Sequence, residues 1–395
     1  MTVSILDIVL AIAAISFAAA GFRQGFIVGA LSFVGFLVGG LAGISFAPSI
    51  VNAVDAGLGQ ALLAIGVVLG LAIIGQLVGS MVGGGLRDLV TWHPARLLDA
   101  GAGAFLGVVS LLIVSWFVGS AVASASIPTL TREVRQSRIL ASVDRVMPER
   151  AEAIYRSLSQ VLDRNGFPQV FAPFATERIV PVEPPDEQVL GSRAVRTSRG
   201  SIVKVFGTAE SCARHIEGTG FVYAAQRVMT NAHVVAGVRR PLVQVGGRGA
   251  QLRAQVVVFD PGRDVAVLYV PGLDARALGF DYSGKRRDAA IVAGFPRNGP
   301  FRADAARIRD ELDARGPDIY DTGQVVREVF SLYATVEPGN SGGPLLSPTG
   351  NVYGVIFAKS LEDAVTGYAL TADEVRDDAA QGRRSVRQVP TGRCA

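Results

Sequence analysis

Three residues in the C-terminal half of the chain have the types and flanks that covalent acyl transfer requires. Ser341 lies in the run Glu337-Pro-Gly-Asn-Ser-Gly-Gly-Pro344, followed by the apolar pair Leu345 and Leu346. A Pro/Gly bend of this kind presents the hydroxyl, and its small neighbours let a substrate carbonyl approach two backbone N–H groups as oxyanion charge develops. A serine nucleophile needs a base, and the chain has only three histidines, His93, His215 and His233. His233 follows a strand-like run in Val228-Met-Thr-Asn-Ala-His-Val-Val235, and Asp264 opens the apolar run Val265–Leu268 after Asp260-Pro-Gly-Arg263. Taken singly, these are an ordinary turn, a half-buried histidine and a strand-start aspartate. Together, in the order His, Asp, Ser, they supply a nucleophile, a base and a carboxylate to orient the imidazole.

The elements that must position them are short strands. Ser201–Phe206, Gly220–Tyr223, Val256–Phe259, Asp264–Leu268, Ala290–Ala293 and Asn351–Phe357 are β-type runs separated by Gly, Pro and Asp. Close spacing of such runs predicts an antiparallel barrel or pair of barrels.

Gly218-Thr-Gly-Phe-Val, Thr230-Asn-Ala-His-Val-Val, Arg263-Asp-Val-Ala-Val-Leu, Ala293-Gly-Phe-Pro and Pro338-Gly-Asn-Ser-Gly-Gly-Pro-Leu resemble the trypsin-like serine proteases, particularly the bacterial HtrA/Deg branch. The resemblance implies an all-β chymotrypsin-like double β-barrel. It makes His233 the general base, Asp264 the orienting acid and Ser341 the nucleophile, with the N–H groups of Gly339 and Ser341 as oxyanion hole. Asp260 is the rival acid, but Asp264 has the apolar strand behind it that burial requires. Thr335 matches the base of the primary substrate pocket, with Ile356, Phe357 and Ala358 as a wall, which implies an apolar or small residue before the scissile bond. Only 54 residues follow Ser341, too few for a peptide-binding PDZ module after the barrel. Cys212 and Cys394 fit no metal-ligand spacing, and neither metal nor cofactor is expected. They lie near the two ends of this domain and are either two thiols or a disulfide pinning the C-terminal tail, the latter requiring an oxidising compartment.

The N-terminal third has a different composition. Residues 1–124 carry seven charged side chains, Asp7, Arg23, Asp55, Arg87, Asp88, Arg96 and Asp99. Between them run four apolar stretches, Ile5–Ala20, Phe26–Ala47, Leu62–Val82 and Ala102–Ala123. Each approaches the ~20 residues that cross a bilayer, so a four-helix transmembrane bundle is expected. The first stretch lacks the basic start of a signal peptide, and three more spans follow. Glycines every fourth residue (Gly35, Gly39, Gly43; Gly66, Gly70; Gly75, Gly79, Gly83) predict close helix packing. Arg23, Arg87 and Arg96 fall in the first and third loops, which places those loops in the cytoplasm and both termini outside. The stretch from Leu6-Asp7 to Gly21-Phe-Arg-Gln-Gly25 resembles the start of the colicin V production protein family.

The resulting plan is a four-span domain at 1–125, a helical connector and Pro-rich linker at 126–195, and a protease domain at 196–395. In the connector, Ile139, Val143, Met147, Ile154, Leu158 and Leu162 recur at helical spacing, with Pro148 as the break. The chain is 49% hydrophobic and carries a net charge of +4, but no arginine cluster with interleaved aromatics points to nucleic acid. The combination resembles actinobacterial membrane-anchored acid-resistance proteases. It implies an endopeptidase cutting cell-envelope proteins outside the cytoplasmic membrane under acid or oxidative stress, for instance processing a cell-wall hydrolase. The competing expectation is a membrane scaffold or transport protein that uses a protease fold for binding.

Overall fold

Apolar runs with few charges become long helices in the computed structural model, which describes residues 4–51, 58–123, 128–147, 167–172, 174–212 and 214–394. The chain divides into two units, residues 1–119 with 137–147, and residues 120–136 with 148–395. The first unit contains α1 (Ile5–Gln24), α2 (Phe26–Val51), α3 (Leu58–Asp88) and most of α4 (His93–Ala123). All four are long and apolar enough to span a membrane, and their large side chains, such as Ile12, Leu77 and Phe105, are exposed. Such surface is stable against lipid rather than water.

The glycine stripe works as backbone contact. Gly35 lies against Gly75, Gly39 against Leu71 and Gly79 against Leu31, so that any side chain would collide with the facing carbonyl. Gly66 and Gly70 face open space and take no part. The charged loop residues are tied together. Arg87 Nε lies 3.0 Å from Asp99, its Nη1 donates to the carbonyls of Arg23 and Gln24, and Asp99 accepts from the Ile27 N–H at 2.9 Å. Asp7, the acidic residue of the first span, is buried. It accepts from Ser137 Oγ at 2.6 Å and from the N–H groups of Arg138 and Ile139, so it caps the short helix Arg138–Asp144. Trp116 Nε1 donates to Asp144 in the same helix. The expected helix after Pro148, with Ile154, Leu158 and Leu162, lies outside the described residues.

The second unit is built from thirteen strands among the described residues. The first seven are β1 (Ile202–Ala209), β2 (Arg214–Ala224), β3 (Arg227–Thr230), β4 (Leu242–Val245), β5 (Gln251–Arg253), β6 (Gln255–Asp260) and β7 (Val265–Tyr269). They form one antiparallel sheet in the order β5-β4-β1-β2-β3-β7-β6. The other six are β8 (Ala289–Gly294), β9 (Arg302–Pro317), β10 (Gln324–Tyr333), β11 (Pro344–Leu346), β12 (Val352–Lys359) and β13 (Thr366–Thr371), and they close a barrel. This is the chymotrypsin-like architecture, with the first sheet curled and only the second barrel closed by strand pairing. Val205, Val222, Val228 and Leu268 fill the first sheet, and Val292, Ile308, Leu332 and Ile356 fill the barrel. A further core cluster crosses the seam, joining Phe221, Met229 and Val265 to Phe295, Val329, Phe357 and Leu370.

The Pro-rich run is extended and lies on the barrel, where Arg309 donates to the Val180 carbonyl and Arg307 to that of Pro184. Glu177 and Glu362 share Arg135, from the short helix Pro128–Arg135, in a buried cluster completed by the Tyr368 hydroxyl at 2.8 Å from Glu177. Burial pushes the Glu362 carboxyl up.

The helix Arg376–Arg384 packs on the first sheet through Tyr223, which donates to Ala379 O, and Arg227, which donates to Gly382 O and Ser385 O. It carries an unfavourable charge. Asp378 is buried, its Oδ2 has no hydrogen-bond partner, and burial, with the nearby Asp260 adding to it, pushes its carboxyl up to about 6. The folded state therefore binds a proton that the unfolded chain releases near pH 4. Stability is full below that value and falls as pH rises through 6. Asp378→Asn is expected to stabilise the protein at pH 7.5 by about 2 kcal/mol, allowing for solvent screening, and to have almost no effect at about pH 3. Thermal unfolding of both proteins at the two pH values tests this; equal gains at both would contradict it.

Candidate active site

The seam between sheet and barrel brings the sequence-predicted residues together from distant parts of the chain. His233 stands just beyond β3, whose end is held to the first sheet by pairing with β7. Its imidazole Nδ1 lies 2.7 Å from Asp264 Oδ2, and its own backbone N–H donates to Asp264 Oδ1 at 2.9 Å. One carboxylate therefore fixes both the ring and the main chain of the histidine. Asp264 is fully buried and sits at φ +67°, a left-handed conformation in which an aspartate is tolerated better than most residues. Asn231 Nδ2 donates to the Asp264 carbonyl at 2.8 Å and holds that turn. Asp260 is engaged elsewhere, accepting from Arg263 N–H at 2.9 Å and pairing with its guanidinium. It caps the turn and leaves the histidine to Asp264.

Ser341 is 3% exposed, in a turn that only glycine permits at two positions. Gly339 has φ +95°, where a Cβ would collide with Phe295 O, and Gly342 has φ +80°, where one would collide with Thr219 O and Thr230 Oγ1. The turn is bonded on both sides. Thr219 N–H donates to Ser341 O at 2.8 Å, Gly342 N–H to Ile356 O at 2.8 Å, and Asn340 N–H to Glu337 O at 2.9 Å. Among the backbone hydrogen bonds of the described residues, the N–H groups of Gly339 and Ser341 donate to none. Two unspent donors on one tight turn can receive an oxyanion without first breaking a protein hydrogen bond. His233 Nε2 is buried with no partner, so no hydrogen bond joins it to Ser341 in this structure. Such contacts are often long before substrate binds.

The Gly-Thr-Gly motif marks a residue that the sequence reading did not assign. Thr219, fully buried on β2, donates from Oγ1 to Gly339 O at 2.6 Å and accepts there from Phe295 N–H at 3.0 Å. It fastens the serine turn to the opposite sheet. Glu337 supports the same turn by pairing with Arg297 and Arg302, each at 2.7 Å. The expected pocket residues divide. Thr335 is exposed, whereas Ile356, Phe357 and Ala358 are fully buried. Ile356 belongs to the barrel core and Phe357 to the seam. The tail is joined to the β1 end by the disulfide Cys212–Cys394, with Cα atoms 6.6 Å apart.

Comparison with known proteins agrees with this fold. Residues 218–355 match the family described as trypsin-like peptidase domain, and residues 6–148 match colicin V production protein. Serine protease Rv3671c of Mycobacterium tuberculosis is 37% identical over 390 residues, 98% of each chain. A DegP-like periplasmic serine endoprotease of Pseudomonas putida is 27% identical over 69% of this chain and 53% of its own length. The crystal structure of the active form of the Rv3671c protease from M. tuberculosis superposes with a TM-score of 0.54 at 41% identity, covering 57% of this chain and 99% of that one.

Proposed function

The chain belongs to the serine proteases in which a colicin V production protein domain precedes a trypsin-like peptidase domain, and on that premise we propose how it works and where. His233 removes the Ser341 proton as the hydroxyl attacks a peptide carbonyl, and Asp264 stabilises the imidazolium that forms. The Gly339 and Ser341 N–H groups receive the oxyanion. His233 then protonates the leaving amine, and water hydrolyses the acyl-enzyme by the same route. The observation carrying this reading is the double hold of the buried Asp264 on His233, beside a serine turn whose two N–H groups are unspent.

The protease unit faces the outside of the cytoplasmic membrane. The arginines of the first and third loops support this orientation, as does a disulfide that needs an oxidising compartment. Its substrates are cell-envelope proteins, cut during acid or oxidative stress, with a cell-wall hydrolase among them. Thr335, exposed and uncharged at the expected base of the primary pocket, supports an apolar or small residue before the cut. A fluorophosphonate probe should label the full-length protein in detergent at Ser341, with labelling lost in Ser341→Ala, and a peptide library should peak at apolar or small residues. No labelling of folded protein, or a preference for Arg, would refute the respective part.

A further inference from the structure

The seam holds a charge that the reaction described above does not use. Arg327, on β10, is 1% exposed. Its Nε donates to Gly262 O and its Nη2 to Pro317 O, both at 2.8 Å, and its Nη1 is buried without a partner. The guanidinium lies 5.9 Å from the ring of Phe357. Among the described residues no carboxylate pairs with it directly.

A buried cation held by neutral carbonyls is costly, and apolar residues of similar size in such places often leave a protein as stable or more so. Two features show what the charge does here. Gly262 belongs to the turn carrying Asp264, two residues before it, whereas Pro317 ends β9 of the barrel. The guanidinium thus spans the seam, with the Ile319 N–H to Pro261 O bond at 3.2 Å running beside it. The acidic groups acting on it are, in order, Asp264, Asp318, Glu374 and Asp260, from the turn, the end of β9, the segment before the last helix and β6. Burial pulls the guanidinium down from its ordinary value, and Asp264 is the strongest influence opposing that.

We propose that Arg327 is a positioning residue for proteolysis: it clamps the Asp264 turn to the barrel that carries Ser341. The inference rests on the assignment of His233, Asp264 and Ser341 above. Barrel and sheet each carry part of the site, so a clamp between them fixes the distance from base to nucleophile, and misplacement of about 1 Å is enough to cost rate.

The test compares kcat and KM of full-length wild type, Arg327→Met and Arg327→Lys in detergent, using a peptide cleaved by the wild type. Arg327→Met is expected to lower kcat by about 30-fold with KM within about twofold. Arg327→Lys should not restore kcat, because a single ammonium cannot span both carbonyls. A folded Met variant with unchanged kcat overturns the proposal, as does one whose loss lies in KM rather than in kcat. If Met fails to fold, the Lys variant decides: wild-type kcat overturns the clamp. A wild type that neither cleaves nor takes up the probe would instead remove the triad assignment.

Discussion

Asp264→Asn is expected to lower kcat by about 10⁴-fold while KM and the melting temperature change little, since the same replacement in the trypsin-like triad costs about that much. The reason is tautomeric. Asp264 Oδ2 lies 2.7 Å from Nδ1 and, as a carboxylate, accepts a proton held there, which leaves Nε2 free to act as base. An asparagine amide turned towards the ring donates instead. Nδ1 must then accept, the proton moves to Nε2, and the ring can no longer take one from Ser341. The backbone contact of His233 to Oδ1 can survive as a hydrogen bond to the amide oxygen, so the fold has little reason to fail. Asp260→Asn is the matched control, because that carboxylate holds the turn four residues earlier and bonds to Arg263 rather than to His233. Steady-state kinetics on both variants checks the assignment, and losses of similar size at the two positions would show that the turn, not the carboxylate, matters.

That contrast also marks how far the sequence reaches. His233, Asp264 and Ser341 were legible because each stands at the end of a strand in a short motif whose flanks are themselves chemical requirements. The preference for Asp264 over Asp260 followed from the apolar run Val265–Leu268, which is fully buried in the structure. The supports of the site were not legible. Thr219 reaches Gly339 across 120 residues and Arg327 reaches Gly262 across 65, and no local pattern encodes such pairs. The pocket wall was read as three neighbouring side chains, but successive residues of a strand face opposite ways, and Ile356 and Phe357 enter different cores. The hairpin of β9 and β10 is a second case. Arg302–Pro317 is rich in Ala, Arg, Asp and Glu, residues with little strand preference, and becomes a strand because it pairs with β8 on one side and β10 on the other. In the membrane unit the four-residue glycine spacing was informative for α2 and the C-terminal part of α3, where backbones meet, and uninformative at Gly66 and Gly70.

Loss of the disulfide should have the largest effect on stability. The bond closes a loop of 182 residues, for which the chain-entropy relation gives about 5 kcal/mol as an upper figure. Cys394→Ser is therefore expected to lower the melting temperature of the protease unit by roughly 10 °C. A second consequence concerns rate. The tail runs along the segment that follows the histidine. Gly237 N–H donates to Thr391 O at 3.0 Å, Thr391 Oγ1 to Val238 O at 3.1 Å, and Val389 N–H to Val256 O at 2.8 Å. Gly237, at φ +73°, packs directly against the Cys394 sulfur. Untying the last residues leaves these hydrogen bonds in place but removes the anchor beyond them, so His233 samples more positions and kcat falls several-fold with KM little changed. Cys212 is exposed, which makes the bond open to reductant. Dithiothreitol should reproduce both effects in the wild type and neither in Cys394→Ser. Equal melting temperatures for the oxidised and reduced protein would mean that the tail's hydrogen bonds hold it without the covalent link. A fall in melting temperature with kcat unchanged would mean that the histidine segment is rigid on its own, held from the other side by the two hydrogen bonds of Asp264.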